Sequence, residues 1–197
     1  MADKKITALT AGTPVKGDIF PFVASPTTTP VTKSATLQSF VPQTLISRYV
    51  SAGNVTTGED DLYSDTLAAS TFTVAGQAIR AFYNGYYIGH ATATRQIKAY
   101  FGGTLIFDST ALAITANTAW NLELLIIPSS IGGGTARAVA SFRYSTSLRA
   151  PTETSLTGFT FTNTQILKVT GESAGVGGGA SNDVVAWAAH AVLHPAP

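Results

Sequence analysis

The chain has 197 residues, of which 12% are charged and 45% hydrophobic, with a net charge of +1, no cysteine and a mean hydropathy of +0.21. That length closes the core of one ordinary domain and leaves an appendage. Lack of cysteine excludes a disulfide scaffold, a thiolate metal site and a cysteine nucleophile, and singly scattered arginines offer no concentrated patch for nucleic acid.

A typical soluble domain carries roughly 25% charged residues, about twice the share found here, so a monomer surface would be poorly solvated. The longest apolar runs, such as Leu122 to Ile127, fall far short of the ~20 residues of a membrane helix. The low-charge surface is therefore expected to be covered by other subunits and not by lipid. The opening MADKKITALTAG lacks the apolar centre of a secretory signal, and assembly in a reducing cytosol is expected.

Residues 1–40 read as short β-like pieces broken by Pro14, Pro21, Pro26 and Pro30. Proline at this density forbids a continuous helix and predicts an extended N-terminal arm. Its apolar clusters are too short to fold alone, so Ile19, Phe20 and Phe22 are expected to anchor it to a partner. Residues 41–60, with Pro42, Gly53 and Gly58, read as a solvated linker holding a short helical turn near Gln43 to Tyr49.

From residue 61 to 197 strands and turns alternate. Strands are expected near Phe72 to Val74, Ile79 to Phe82, Tyr86 to His90 and Ile97 to Phe101. The pair Gly102-Gly103 then turns the chain into Leu105 to Asp108, since tight hairpins need φ > 0. Further strands are expected at Trp120 to Ile127, Ala136 to Tyr144, Gly158 to Thr162, Gln165 to Thr170 and Asp183 to Leu193. The last is alanine-rich enough to permit a helix, and the alternation of Val185, Trp187 and Leu193 favours a strand. Toward the end of the Trp120 run both faces become apolar. One is expected to meet the core and the other a neighbouring subunit, which makes Leu122, Leu124, Leu125, Ile126 and Ile127 the candidate oligomer interface. The fold class is all-β: an extended arm followed by an antiparallel, jelly-roll-like β-sandwich.

Little in the chain carries chemistry. His190 and His194 lie four apart without a third ligand nearby. Glu59, Asp60, Asp61 and Asp65 form the one acidic cluster, without the spacing of a calcium loop. No G-x-S-x-G sequence is present, and Gly175 to Ser181 lacks the Lys-Ser/Thr pair of a phosphate loop. Aromatics such as Tyr87 and Trp120 could stack on sugars or fill the core. No catalytic residue, cofactor or metal is expected.

The opening KITALTAGTPVKGDIFPFVASPTTTPVTKSATLQSF resembles the N-terminal segment of tailed-bacteriophage virion proteins, and the part containing IKAYFGGTLIFDS and ILKVTGES is similar to the jelly-roll domain that follows such arms in head-decoration and fibre proteins. The resemblance implies a non-enzymatic structural protein of the virion, assembled in the host cytoplasm. It implies a homotrimeric capsid decoration (cement) protein bound to the major capsid protein or another virion protein. The alternatives are a tail or baseplate fibre component and, further off, a carbohydrate-binding module.

Overall fold

The computed structural model describes residues 19–24, 31–36, 41–176 and 180–197. It divides into two compact units, residues 1–41 and 42–197. In the first, β1 (Ile19–Ala24) and β2 (Val31–Thr36) pair antiparallel, with Ile19 opposite Thr36 and Ala24 opposite Val31. The expected arm thus contains a two-stranded ribbon, with Pro21 opposite Ser34. Phe20 stands opposite Ala35 and Phe22 opposite Lys33 in its register. The rest of the expected arm lies outside the described residues.

The second unit is a sandwich of two antiparallel sheets. The larger has the order β12 (Ser147–Leu148), β11 (Thr135–Tyr144), β10 (Thr118–Ser130), β6 (Ala78–Tyr87), β15 (Val184–His194), β3 (Gln43–Arg48), with β13 (Thr152–Leu156) also on β11 and β4 (Ala52–Gly53) on β15. The smaller has the order β5 (Glu59–Leu67), β14 (Gln165–Gly175), β7 (Ala93–Phe101), β8 (Thr104–Asp108), with β9 (Leu112–Ala113) on β7. Consecutive strands cross between sheets, from β3 to β5 to β6 to β7 and from β8 to β10, then from β14 to β15. The resulting orders β3-β15-β6-β10 and β5-β14-β7-β8 are those of an eight-stranded jelly roll, with β11 to β13 inserted as an extension of the larger sheet.

The expected hairpin forms. Gly102 and Gly103 have φ of 54° and 81°, Phe101 stands opposite Thr104, and β8 is an edge strand. Two residues with φ > 0 give the turn whose twist matches that of the flanking strands. Residues 184–194 form a strand, as alternation predicts, because β15 lies between β3 and β6 and buries Val184, Ala186, Ala189, Ala191 and Leu193.

Other expectations are corrected. Residues 41–60 are not a linker: Gln43–Arg48 is a strand on the edge of the larger sheet instead of a helical turn, with Ile46 only 5% exposed. The apolar contact of Ile46 and the unpaired edge of β15 outweigh the local turn propensity. Ile79 to Phe82 and Tyr86-Tyr87 are parts of one strand, β6, which runs through Gly85, while Ile88 to His90, expected to continue the second run, lie beyond its end. A Cβ on Gly85 would strike the Trp120 ring and the Val185 carbonyl, so the missing side chain there admits the indole. Phe72 and Phe161 lie outside strands and pack edge to face, with ring centroids 5.6 Å apart.

The sandwich has two distinct ends. Four loops, within residues 54–58, 88–92, 109–117 (which includes the short β9) and 180–183, meet at one of them, where Asn182 N–H donates to Asn54 O at 2.8 Å, Ile88 N–H to Asp183 O at 2.8 Å and His90 N–H to Ile114 O at 2.7 Å. At the other end Gln43 stands opposite Leu193 and Ala78 opposite His194, and the C-terminal residues Ala196 and Pro197 lie beside Gly76. Pro42, where the second unit begins, is thus at the end away from the four loops.

Candidate functional site

The outer face of the larger sheet is where the interface residues divide. Along β10 exposure alternates, so Leu122, Leu124 and Ile126 are at most 1% exposed and belong to the core between the sheets. The expectation that all five form an interface is corrected: strand geometry sends alternate side chains to opposite faces, and only Leu125 and Ile127 point outward, half-buried. Leu125 stands between Arg80 of β6 and Val139 of β11, Ile127 stands opposite Arg137, and Val192 of β15 is opposite Arg80. This half of the face, nearer the end with Pro42, is a modest apolar patch laced with charge. Arg80 Nε donates to Glu123 Oε1 at 2.6 Å, and Arg137 pairs with Glu153 at 2.7 Å.

Nearer the loops, the same face holds a groove of about 360 Å³ over β6, β10 and β11, with Leu148 of β12 as its wall. Asn84, Asn121 and Arg143 form one row across the strands, and Phe82, Glu123 and Ser141 the next. Asn121 Nδ2 donates to Asn84 Oδ1. One stride further along β6, Tyr86 packs against Trp187 with ring centroids 5.8 Å apart. Trp187 is the extra residue of a bulge between Ala186 and Ala188, and it is 46% exposed. Trp120 and Tyr87, which could have stacked on sugars, are fully buried and serve the core. The sequence could not separate these rings, because the bulge that turns Trp187 outward has no local signal.

The outer face of the smaller sheet carries a polar network centred on Glu59 and Lys98. Glu59 accepts from Lys98 Nζ at 2.7 Å, Tyr100 Oη at 2.7 Å and Thr170 Oγ1 at 2.8 Å, while Lys98 also reaches Glu172 at 3.3 Å. Partial burial pushes the Glu59 carboxyl up, but these three donors together outweigh it and hold the group below its ordinary value. Burial first, and then the bond to Glu59, push the Tyr100 phenol up to about 12. The Glu59 bond, opposed by burial and aided by Glu172, raises Lys98.

The remaining acids of the cluster are spoken for separately. Asp60 accepts from the backbone N–H groups of Val55 and Thr56, both at 2.8 Å, Asp61 pairs with Lys168 at 3.0 Å, and Asp65 with Arg48. The acidic run along β5 alternates between faces and supplies no shared oxygen cage.

The four-loop end rests on a buried ion pair. Arg95, 1% exposed, donates to Ile88 O at 3.0 Å, Thr94 O at 3.2 Å and Ser173 Oγ at 2.9 Å, and its Nη2 lies 3.4 Å from Asp183 Oδ2. Ser173 Oγ in turn donates to Asp183 at 2.7 Å. The histidines have structural places. His90 Nδ1 accepts from the N–H groups of Thr92 and Ala93 at 3.2 and 3.3 Å, closing a turn. His190 and His194 share the outer face of β15, roughly 13 Å apart along an extended strand, too far to hold one ion. Among the described residues no group of three His, Asp or Glu is placed to hold a metal, and no helix is long and apolar enough to cross a membrane. The central glycines 177–179 lie outside the described residues.

Compared with known proteins, the chain matches no family model, and none of the curated proteins matches it.

Proposed function

We propose that the protein is a non-enzymatic structural component of a tailed-bacteriophage virion, a capsid decoration protein whose N-terminal unit binds the shell while the jelly roll associates as a homotrimer. The observation that carries this reading is the polarity of the second unit: the chain joins it at Pro42, at the end opposite the four loops. A tether at one end and a braced loop cluster at the other suit a module held by its arm and facing outward. The arm-like first segment and the resemblance of both parts to virion proteins support the same assignment, and fold alone would not. The outward residues Leu125 and Ile127, with Val139 and Val192, are the proposed subunit contact, since they lie together on the half of that face nearer Pro42.

Particles lacking the protein are the test. They should disintegrate at lower temperature or under milder osmotic shock than complete particles, and complete particles should carry hundreds of copies. Deleting residues 1–40 should abolish incorporation while leaving the sandwich folded. Undiminished particle stability would overturn the cement role, and a few dozen copies confined to the tail would replace it with a fibre or baseplate role.

A further inference from the structure

We propose that the groove beside Trp187 binds an acidic oligosaccharide, whatever the chain is mounted on. Its polar groups are open to a ligand. Because Asn121 donates to Asn84 Oδ1, the Asn84 amide N–H₂ and the Asn121 carbonyl remain, one a donor and the other an acceptor. Ser141 has no protein partner among the described residues. Glu123 spends one oxygen on Arg80 and keeps the other. Arg143, projecting from β11 into the same row, meets no carboxylate among the described residues.

Donors and acceptors mixed at this density suit hydroxyl groups, each of which both donates and accepts. An apolar ligand would leave them unpaired at a cost. The guanidinium adds a preference: its planar fork takes a carboxylate in two parallel bonds, so one sugar of the ligand is a uronic acid. Glu123, and Arg143 being the one cation among the described residues that line the groove, argue against a polyphosphate.

The rings supply the second half of the site. Tyr86 is two residues from Asn84 on the same face of β6, a stride of about 7 Å. Ala119, opposite Tyr86, is too small to cover that ring. Tyr86 and the exposed Trp187 therefore form an open aromatic step adjoining the groove. The C–H face of a pyranose packs on such rings by dispersion, while the neighbouring sugar reaches Asn84, Asn121 and Arg143. This site lies on the half of the face nearer the loops, apart from Leu125 and Ile127, so both could be used in one assembly.

The experiment is an array of uronic-acid oligosaccharides and their neutral counterparts, probed with the full chain, followed by calorimetric titration of the best binder. The uronic-acid set should be retained, and Trp187→Ala and Arg143→Ala should each weaken binding by about tenfold or more, the loss of one stacking or charged contact. Ile166→Ala, exposed on the other sheet, should change nothing. Failure to retain any acidic glycan, equal retention of neutral ones, or indifference to both substitutions would each overturn the proposal. So would a change of oligomeric state in Trp187→Ala without a change in glycan binding, which would make the step a subunit contact.

Discussion

Replacing Arg95 with methionine keeps most of the side-chain volume and removes only the charge and its donors, so the variant isolates what the buried ion pair contributes. Asp183, 5% exposed, would keep one partner, the Ser173 hydroxyl at 2.7 Å, and the carbonyls of Ile88 and Thr94 would each lose a donor. Removing one member of a buried pair costs about 3–5 kcal/mol, chiefly because the other is left as an uncompensated charge. For a unit of this length each kcal/mol lowers the melting temperature by about 2–4 °C, so a fall of roughly 10 °C is expected.

Equilibrium urea unfolding followed by tryptophan fluorescence measures the loss directly. The double variant Arg95→Met, Asp183→Leu discriminates the cause: with both charges gone it should be more stable than Arg95→Met alone, a coupling of at least about 1 kcal/mol. Because Ile88 and Asp183 also exchange a backbone bond at the loop end, amide exchange in loops 88–92 and 180–183 should accelerate in the single variant. A cost below about 1 kcal/mol for Arg95→Met would refute the argument that this pair braces the loop end.

Four further outcomes follow from the packing and the charge network. Leu124→Ala, in the core, should cost about 2–5 kcal/mol in urea unfolding, while its neighbour Leu125→Ala should leave the fold within about 1 kcal/mol of the parent and weaken the proposed trimer in sedimentation analysis. Gly85→Ala should unfold the sandwich or lower its melting temperature sharply in calorimetry, since the new methyl meets both the Trp120 ring and the Val185 carbonyl. Glu59 has a folded value below its ordinary 4.5, so its contribution to stability is present above that pH and lost as pH falls through the folded value. Glu59→Gln should flatten that part of the acid limb. Tyr100 has the opposite sign: raised to about 12 from 10, it contributes fully below pH 10 and loses its contribution as pH rises through 12. Tyr100→Phe should remove a phenolate absorbance step near that value.

Period-two alternation and glycine turns are local properties, and through them the sequence by itself determined the all-β class, the Gly102-Gly103 hairpin and the strand character of Val184 to His194. A strand's hydrogen bonds are made to distant segments, so pairing was decided only in three dimensions. Gln43 to Arg48 reads as a turn until β15 offers it an edge, and Ile79 to Phe82 and Tyr86 to His90 read as two strands until β6 is seen to run through Gly85, whose missing side chain leaves room for the Trp120 ring. The candidate site divides the same way. The run Leu122 to Ile127 announces two apolar faces, but which residues face the core depends on the second sheet, and it claims Leu122, Leu124 and Ile126. Trp187 and Trp120 are equally aromatic in sequence, and a one-residue bulge exposes the first while a missing Cβ opposite buries the second. Burial is a property of what packs against a residue, and these packing partners lie tens of residues away along the chain.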